Sequence, residues 1–276
     1  MEGHAIDLVD AARVRAMVIE AQPDVVYHLA ALSHVGRSWE EPAETLQANV
    51  TGAVNVLEAV RLEAPRARVV WVSSCEVYGP PERLPVSEDA ALRPANPYAV
   101  SKTTGDLLAA VYADAHGLEV IRARPFNHAG PGQRPIFILS SLARQAVEGR
   151  MRGARALQIV TGNPQTRRDF TDVRDVVRAY RLLAEHADPG VYNVSSGHSV
   201  SAAEQVALLA ELIAPIEVEH VVDPARVRPN EVMDLRGSHD RLSAATEWQP
   251  KISLRQTMAD TIAWWERELA EESLRR

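Results

Sequence analysis

The stretch Asn96-Pro97-Tyr98-Ala99-Val100-Ser101-Lys102 sets a phenol and an ammonium four residues apart, directly behind a helix-start signal. Asn96 can cap a helix with its side chain, and Pro97 suits the first helical position, where its missing N–H costs nothing. Tyr98 and Lys102 then share one helix face, a single turn apart. An ammonium beside a phenol favours the phenolate and brings the tyrosine toward the range where it can trade a proton near neutral pH. The same spacing also describes an ordinary solvent-facing pair, so the surrounding elements have to decide between the two.

Those elements alternate. Residues 24–30 (DVVYHLA) form a short, continuously apolar, β-branched run, as expected of a strand buried on both faces. Residues 44–64 carry apolar side chains at helical spacing, and 67–74 (ARVVWVSS) read as the next buried strand. A proline-punctuated loop over 78–94 leads into the Tyr-Lys helix, which is expected to run to about His116, and 118–125 (LEVIRARP) form another strand. Strand and helix at this rhythm predict an α/β fold, a parallel sheet with helices on both faces. Beyond Pro125 the pattern loosens into a Gly/Pro-rich loop over 126–137 and a helix over 138–149. A helix over 172–186 and a strand over 190–197 return to the main sheet, and the last helix includes 257–272.

The bulk numbers exclude several classes. The 276 residues are 46% hydrophobic and 24% charged, an ordinary globular composition that allows one or two domains. A net charge of −7 speaks against a nucleic-acid partner, which would show as a basic surplus. The single cysteine, Cys75, excludes an internal disulfide and a cysteine-rich metal site, and it fits a reducing, cytoplasmic setting. The nine histidines show no metal spacing; His28 and His128 read as packing or polar-lining residues. No basic-then-apolar leader opens the chain and no run reaches membrane-spanning length, so a soluble, unexported protein without a membrane partner is expected.

Ser74, in VSSCEVYG (72–79), falls at the carboxyl edge of the sheet, where ligands of open α/β folds bind. Ser74, Tyr98 and Lys102 in this order resemble the extended short-chain dehydrogenase/reductases, specifically the epimerase/dehydratase enzymes that act on nucleotide sugars. HLAA (28–31), Asn49 in ANVTG, RPFNHAGPGQ (124–133), RRDFTDVRDVVRAY (167–180), YNVSSG (192–197) and RPNEVMDLRGSHDRLSAATEWQP (228–250) fit the same resemblance. Within the family the pattern is most similar to GDP-4-keto-6-deoxymannose reductases, then to GDP-mannose 4,6-dehydratases. The resemblance covers nearly the whole chain and implies a Rossmann-type, doubly wound parallel sheet. The dinucleotide-binding domain would span 1–125 plus 170–195, and a smaller α/β substrate-binding lobe 126–169 plus 196–276. Such enzymes open with a strand and a glycine-rich turn for the pyrophosphate. Here the first 35 residues hold one glycine, Gly3, and AIDLVD (5–10) matches the end of the family's third strand. The sheet is therefore expected to lack its first strands, to expose an unpaired apolar edge and to hold its cofactor weakly.

The resemblance also implies roles. Tyr98 gives a proton to a ketone oxygen as hydride arrives, Lys102 holds the nicotinamide ribose and depresses the tyrosine, and Ser74 hydrogen-bonds the same oxygen. Glu76 corresponds to the base of the dehydratases. Cys75 stands where many of them place an acidic aspartate, which leans toward simple ketone reduction and leaves dehydration open. Cofactor contacts fall on Asp7 and Leu8 at the adenine, on Leu29, Ala30 and Ala31, and on Asn49, Tyr98, Lys102 and Pro125. Substrate contacts fall on Ser74, Asn127, Arg134, Arg168, Asn193, Arg228 and Glu231, the arginines offering forks to a diphosphate. The expected cofactor is NADPH or NADH, the substrate a GDP-sugar, the assembly a homodimer and the metal none. The expected reaction reduces the 4-keto group of GDP-4-keto-6-deoxymannose to a GDP-6-deoxyhexose of the GDP-rhamnose type. A GDP-mannose 4,6-dehydratase or nucleotide-sugar 4-epimerase, and a nucleotide-sugar-binding remnant without turnover, are the alternatives.

Overall fold

Asp10 starts the first helix by accepting the Arg13 N–H at 3.1 Å on its carboxylate, and Gln22 ends it in a left-handed conformation. The computed structural model describes residues 4–227 and 232–275. In chain order the first half holds α1 (Ala11–Ala21), β1 (Val25–His28), α2 (Val35–Glu40), α3 (Pro42–Leu46), α4 (Gly52–Glu63), β2 (Arg68–Val72), α5 (Pro97–His116) and β3 (Val120–Pro125). Then come β4 (Asn127–Ala129), α6 (Ile138–Met151), β5 (Ala156–Thr161), β6 (Arg167–Asp172), α7 (Val173–His186) and β7 (Gly190–Val194). The rest is β8 (Ser199–Ser201), α8 (Ala202–Ile213), β9 (Glu217–Val222), β10 (Asp234–Leu235), α9 (Asp240–Thr246) and α10 (Leu254–Leu274).

Two compact units divide these elements. The first comprises residues 1–125, 179–194 and 239–248; the second comprises 126–178, 195–238 and 249–276. In the first, four strands run parallel in the order β1-β2-β3-β7. Val69 and Trp71 of β2 join Val14 and Val18 of α1, Val56 and Val60 of α4 and Ala109 of α5 in one core cluster. Val70 and Ile121, which alternate to the opposite face, are fully buried as well. Both faces of β2 and β3 are thus covered, which is why β2 reads as an almost unbroken apolar run, while β3 opens apolar and carries Arg122 and Arg124 further on.

β1 departs from the expectation of burial on both faces. It is an edge strand in its sheet, with Val25 and Tyr27 exposed and a groove of about 460 Å³ alongside, lined by Leu8, Val14, Met17, Val18, Val25 and Tyr27 among others. Residues 5–10 form no strand either. Asp10 N–H donates to the Asp7 carbonyl at 3.0 Å, making a turn that hands the chain to α1. Within the loop expected over 126–137, the structure places the short strand β4.

The second unit sets β10, β6 and β4 parallel, with β8 antiparallel on β6 and a separate parallel pair β5-β9. Its core gathers Leu139, Leu142 and Val147 of α6, Leu209 and Ile213 of α8, and Met258, Ile262 and Trp265 of α10 around Ile159. Ser201 and Glu204 form a reciprocal capping box at the start of α8.

Gly79 fixes the turn that follows Ser74. Its φ is +58°, and an added Cβ would sit 1.9 Å from the carbonyl oxygen of Arg93. Gly117 also has a positive φ of +69°, yet nothing lies within 4 Å of its Cβ position. Gly79→Ala should therefore lower unfolding stability by at least about 2 kcal/mol, and Gly117→Ala by about 1 kcal/mol. Urea midpoints of the two variants test this, and equal losses would remove the Arg93 contact from the account.

Candidate active site

Asn96 caps α5 by accepting the Ala99 N–H at 2.8 Å, Pro97 takes the first turn, and Gly117 closes the helix in the left-handed region. This places Tyr98 and Lys102 on the inner face, 8% and 7% exposed, so they are not a solvent-facing pair. Lys102 Nζ donates to the Val72 carbonyl, the last residue of β2, at 2.5 Å. Ser74 lies two residues beyond that strand, where its hydroxyl accepts the Glu76 N–H at 3.2 Å and hydrogen-bonds the Tyr98 phenol. Three of the expected catalytic side chains therefore converge at the carboxyl edge of β2. The fourth, Glu76, is tied to the same helix start, its carboxylate accepting the Asn96 side-chain N–H at 2.9 Å.

The expected depression of the tyrosine is not found. Burial pushes the Tyr98 phenol above its usual range, the Ser74 hydroxyl offsets part of this, and Cys75 and Glu76 add to the rise. The physical reason lies in Lys102, whose ammonium is turned to the Val72 carbonyl and whose own pKa is drawn down by burial to about 8, with Asp106 acting in the opposite sense. His28 is packing, as expected: it stacks on Trp71 at 4.2 Å, and burial, then the Lys102 charge, draws its pKa down to about 3.

The loop after β1 reaches this edge through Asn49. A π-helical turn over Gln47–Thr51 carries Asn49, whose carbonyl accepts the Leu32 N–H at 2.8 Å and whose amide donates to the Leu32 carbonyl and to Ser101 Oγ. Ser101 in turn donates to the Tyr98 carbonyl at 2.7 Å. Single-turn π-helical insertions cluster at functional positions, and here the insertion pins loop to helix beside Tyr98. Leu29 and Ala30 are exposed in that loop, Ala31 is half-buried, and Pro125 ends β3 in a buried position. Leu8 packs on Gly52 of α4, and its carbonyl accepts from Asn55 at 2.8 Å, whereas Asp7 is exposed.

One group escaped the sequence reading. Asp106, four residues beyond Lys102 and 0% exposed, accepts from Arg122 Nη1 at 3.0 Å and from Arg124 Nε and Nη2 at 2.9 and 2.8 Å. Burial would raise its carboxyl, but the Arg124 and Arg122 guanidinium groups hold it below the usual range. Two arginines at alternate positions of an otherwise buried strand, and a carboxylate at helical spacing from the lysine, were the available signals. Arg124 also donates to the Tyr78 hydroxyl, which donates to Asn193 Oδ1 at 2.7 Å. Asn193 itself is fully buried and its amide donates to Val86 O, so both polar atoms of this expected substrate contact are engaged inside the first unit. Tyr78 and Glu88, which accepts the Asn193 N–H, complete a strut beneath the loop.

In the second unit, Asn127 is half-buried in β4 and Arg134 is exposed. Arg168 projects from β6, with Nη1 donating to the carbonyls of Arg167 and Val232. Arg228 and Glu231 lie outside the described residues. Asp169 is held by the N–H groups of Ser196, Gly197 and Gly237 and by the Ser196 hydroxyl, which makes it a structural knot. Among the described residues no group of acidic, histidine or cysteine side chains is arranged to hold a metal, and no helix is long and apolar enough to cross a membrane.

With this geometry in hand, comparison with known proteins is specific. The model of the GDP-mannose 4,6-dehydratase family matches residues 1–261. GDP-6-deoxy-D-mannose reductase of Pseudomonas aeruginosa is 40% identical over 253 residues, 91% of this chain and 83% of the relative. GDP-mannose 4,6 dehydratase 1 of Arabidopsis thaliana is 32% identical over 91% of this chain and 70% of that protein. A solved structure of RMD from Pseudomonas aeruginosa complexed with NADPH superposes with a TM-score of 0.88 at 37% identity, covering 96% of this chain and 88% of that one.

The buried ammonium has a thermodynamic signature. Lys102 loses its proton near pH 8 when folded and near 10.5 when unfolded, so the unfolded chain binds more protons across that window. Stability should therefore rise between pH 8 and 10, and His28, depressed from 6.5 to about 3, adds a loss on acidification through that lower range. Lys102→Met should stabilise the protein at pH 7 by on the order of 3 kcal/mol and remove the alkaline rise. Urea unfolding of both proteins at pH 7 and 9.5 checks this; parallel pH dependences would show that the ammonium is not strained.

Proposed function

The chain belongs to the GDP-mannose 4,6-dehydratase family, and we propose that it reduces the 4-keto group of GDP-4-keto-6-deoxy-D-mannose to a GDP-6-deoxyhexose of the GDP-D-rhamnose type. The relative that is 40% identical, a GDP-6-deoxy-D-mannose reductase, supports the substrate class. The observation that carries the direction of the reaction is the 40% identity to that reductase over 83% of its length, and the buried Ser74–Tyr98 pair accords with it. A buried phenol with a raised pKa, hydrogen-bonded to Ser74, keeps its proton at working pH and is poised to donate it.

NADPH, when bound, supplies the hydride, and the NADPH complex of RMD supports it as the cofactor. The residues present fit its nicotinamide end: Lys102 offers a buried ammonium for ribose hydroxyls, and the loop held by Asn49 carries the exposed residues Leu29 and Ala30. Tyr98 and Ser74 both address the ketone oxygen, Tyr98 passing its proton as negative charge develops and Ser74 donating a hydrogen bond to the same atom. Glu76, held by Asn96, steers the substrate's hydroxyls in this reading. In the first unit the carboxyl-edge residues serve the dinucleotide; in the second, Asn127, Arg134 and Arg168, with Arg228, serve the GDP-sugar diphosphate.

A homodimer accompanies this reading. Val100, Leu107 and Val111 form an outward stripe on α5, 41%, 51% and 57% exposed, at spacings of seven and four residues. A stripe of that kind on a packed helix marks a helix-pairing face. Leu107→Asp should convert the dimer to a monomer in light scattering without unfolding it, and a mass unaffected by the change would move the interface elsewhere.

Reduction is tested by NADPH oxidation with GDP-4-keto-6-deoxymannose. Tyr98→Phe should lower kcat by about 10² to 10⁴-fold while calorimetric affinity for the GDP-sugar holds. A loss below about tenfold, roughly 1.4 kcal/mol of barrier, would take Tyr98 out of the proton transfer. Conversion of GDP-mannose to its 4-keto-6-deoxy product would instead select the dehydratase, and GDP-sugar binding with neither reaction would select a binding protein.

A further inference from the structure

We infer that Asp106 is the counter-charge of Lys102, and that Arg124 and Arg122 are positioning residues that fix this carboxylate and meter how much of its charge the lysine feels. The inference deepens the reading of Lys102 as the residue that holds the nicotinamide ribose. The geometry carries it. Asp106 follows Lys102 by four residues on α5, so the two lie a turn apart on one buried face. Both Asp106 oxygens are engaged by Arg124, Oδ2 by Nε at 2.9 Å and Oδ1 by Nη2 at 2.8 Å, and Arg122 Nη1 takes a second site on Oδ1 at 3.0 Å. A bidentate fork of this kind removes the carboxylate's rotational freedom. Arg124 is itself fixed, its Nη1 donating to the Tyr78 hydroxyl and the Glu88 carbonyl and its guanidinium lying 5.1 Å over the Tyr78 ring.

The other ionisable groups near Lys102 do not supply its counter-charge. His28, from β1, is held neutral by burial. Tyr98, from the same helix, keeps its proton. Tyr78, from the turn after β2, is pushed up to about 12 by burial and is neutral too. Arg122 and Arg124, from β3, share the lysine's sign. Asp106 is thus the anion that opposes the desolvation of Lys102, and each arginine neutralises part of it.

This chain allows a direct measurement, because Lys102 and Lys251 are its only lysines. Protein labelled with ¹³Cε-lysine gives two NMR signals, and Lys251→Arg assigns them. Asp106→Asn should move the Lys102 titration midpoint down by about one pH unit or more, since an opposite charge at close range is lost. Mere loosening would move it up, because added solvent favours the ammonium. Arg122 is partly exposed, so a charge ladder there tests the same idea without opening the core. Arg122→Gln should raise the midpoint and Arg122→Glu should raise it further. An unchanged or raised midpoint in a folded Asp106→Asn protein overturns the inference. Should that variant not fold, equal shifts in the two Arg122 variants overturn it, because loosening alone would give them. The alkaline limb of the reductase pH–rate profile should follow the NMR midpoints. Midpoints that move while the limb stays put support the charge device and count against Lys102 as a participant in the reduction.

Discussion

Helix α5 seats closely on the sheet where Gly105 presents no side chain to Trp71. An added Cβ there would sit 3.1 Å from Trp71 Cζ2 and 3.4 Å from Nε1, so Trp71, whose ring stacks on His28 at 4.2 Å, would have to give by a few tenths of an ångström. Trp71 is itself 2% exposed and belongs to the central strand pair of the first unit. The contact therefore sets the depth of α5 against the sheet. That depth decides which atoms meet. It lets Lys102 Nζ reach the last carbonyl of β2, lets the Tyr98 hydroxyl meet Ser74 two residues further on, and brings Asp106 within reach of two arginines on β3.

Seating the helix this deep carries a cost in solvation, and the unit meets it with partners. An ammonium, a carboxylate and a guanidinium each less than 10% exposed would be unsustainable singly. Asp106 and Arg124 satisfy one another bidentately, which is the arrangement in which a buried pair holds. Among the described residues Lys102 has only a carbonyl within bonding distance and takes its share of Asp106 across a helical turn, and so it remains the least compensated charge of the group. In the proposed reading, a ligand's hydroxyls complete what the protein leaves unsatisfied at this ammonium.

The parts of this arrangement visible in the sequence were those governed by local rules. Asn96-Pro97 and the closing Gly117 bound α5 because capping and φ preference act within a few residues. The β-branched runs gave β2 and β3 for the same reason. For β1 the apolar run predicts burial on both faces while the family resemblance predicts an unpaired apolar edge; the structure follows the second, because a run does not reveal whether a neighbour lies on its second side, and here that side is the groove. β4 is not visible in the sequence because a three-residue strand, set between Phe126 and Gly130, carries too little pattern to register. Asn193 misled in a different way, since a polar residue at a strand end looks the same whether it meets a ligand or braces Tyr78 and Val86. Asp106 was legible in spacing but not in meaning, because its partners lie 16 and 18 residues away on another element.

The tyrosine shows most clearly why spacing alone does not give chemistry. A phenol and an ammonium four positions apart imply a lowered phenol pKa only if both groups face the same water. Here both are desolvated, and desolvation works on them in opposite directions, raising the phenol and lowering the ammonium. The result is a neutral acid beside a weakly held cation, a pairing suited to giving a proton away. In the proposed reduction the phenol gives its proton to a developing alkoxide, and the Ser74 hydroxyl, which already favours the charged phenol, stabilises the charge left behind. The lowering that the spacing predicts from the ammonium is thus absent from the resting state, where burial raises the phenol and only the Ser74 hydroxyl opposes it.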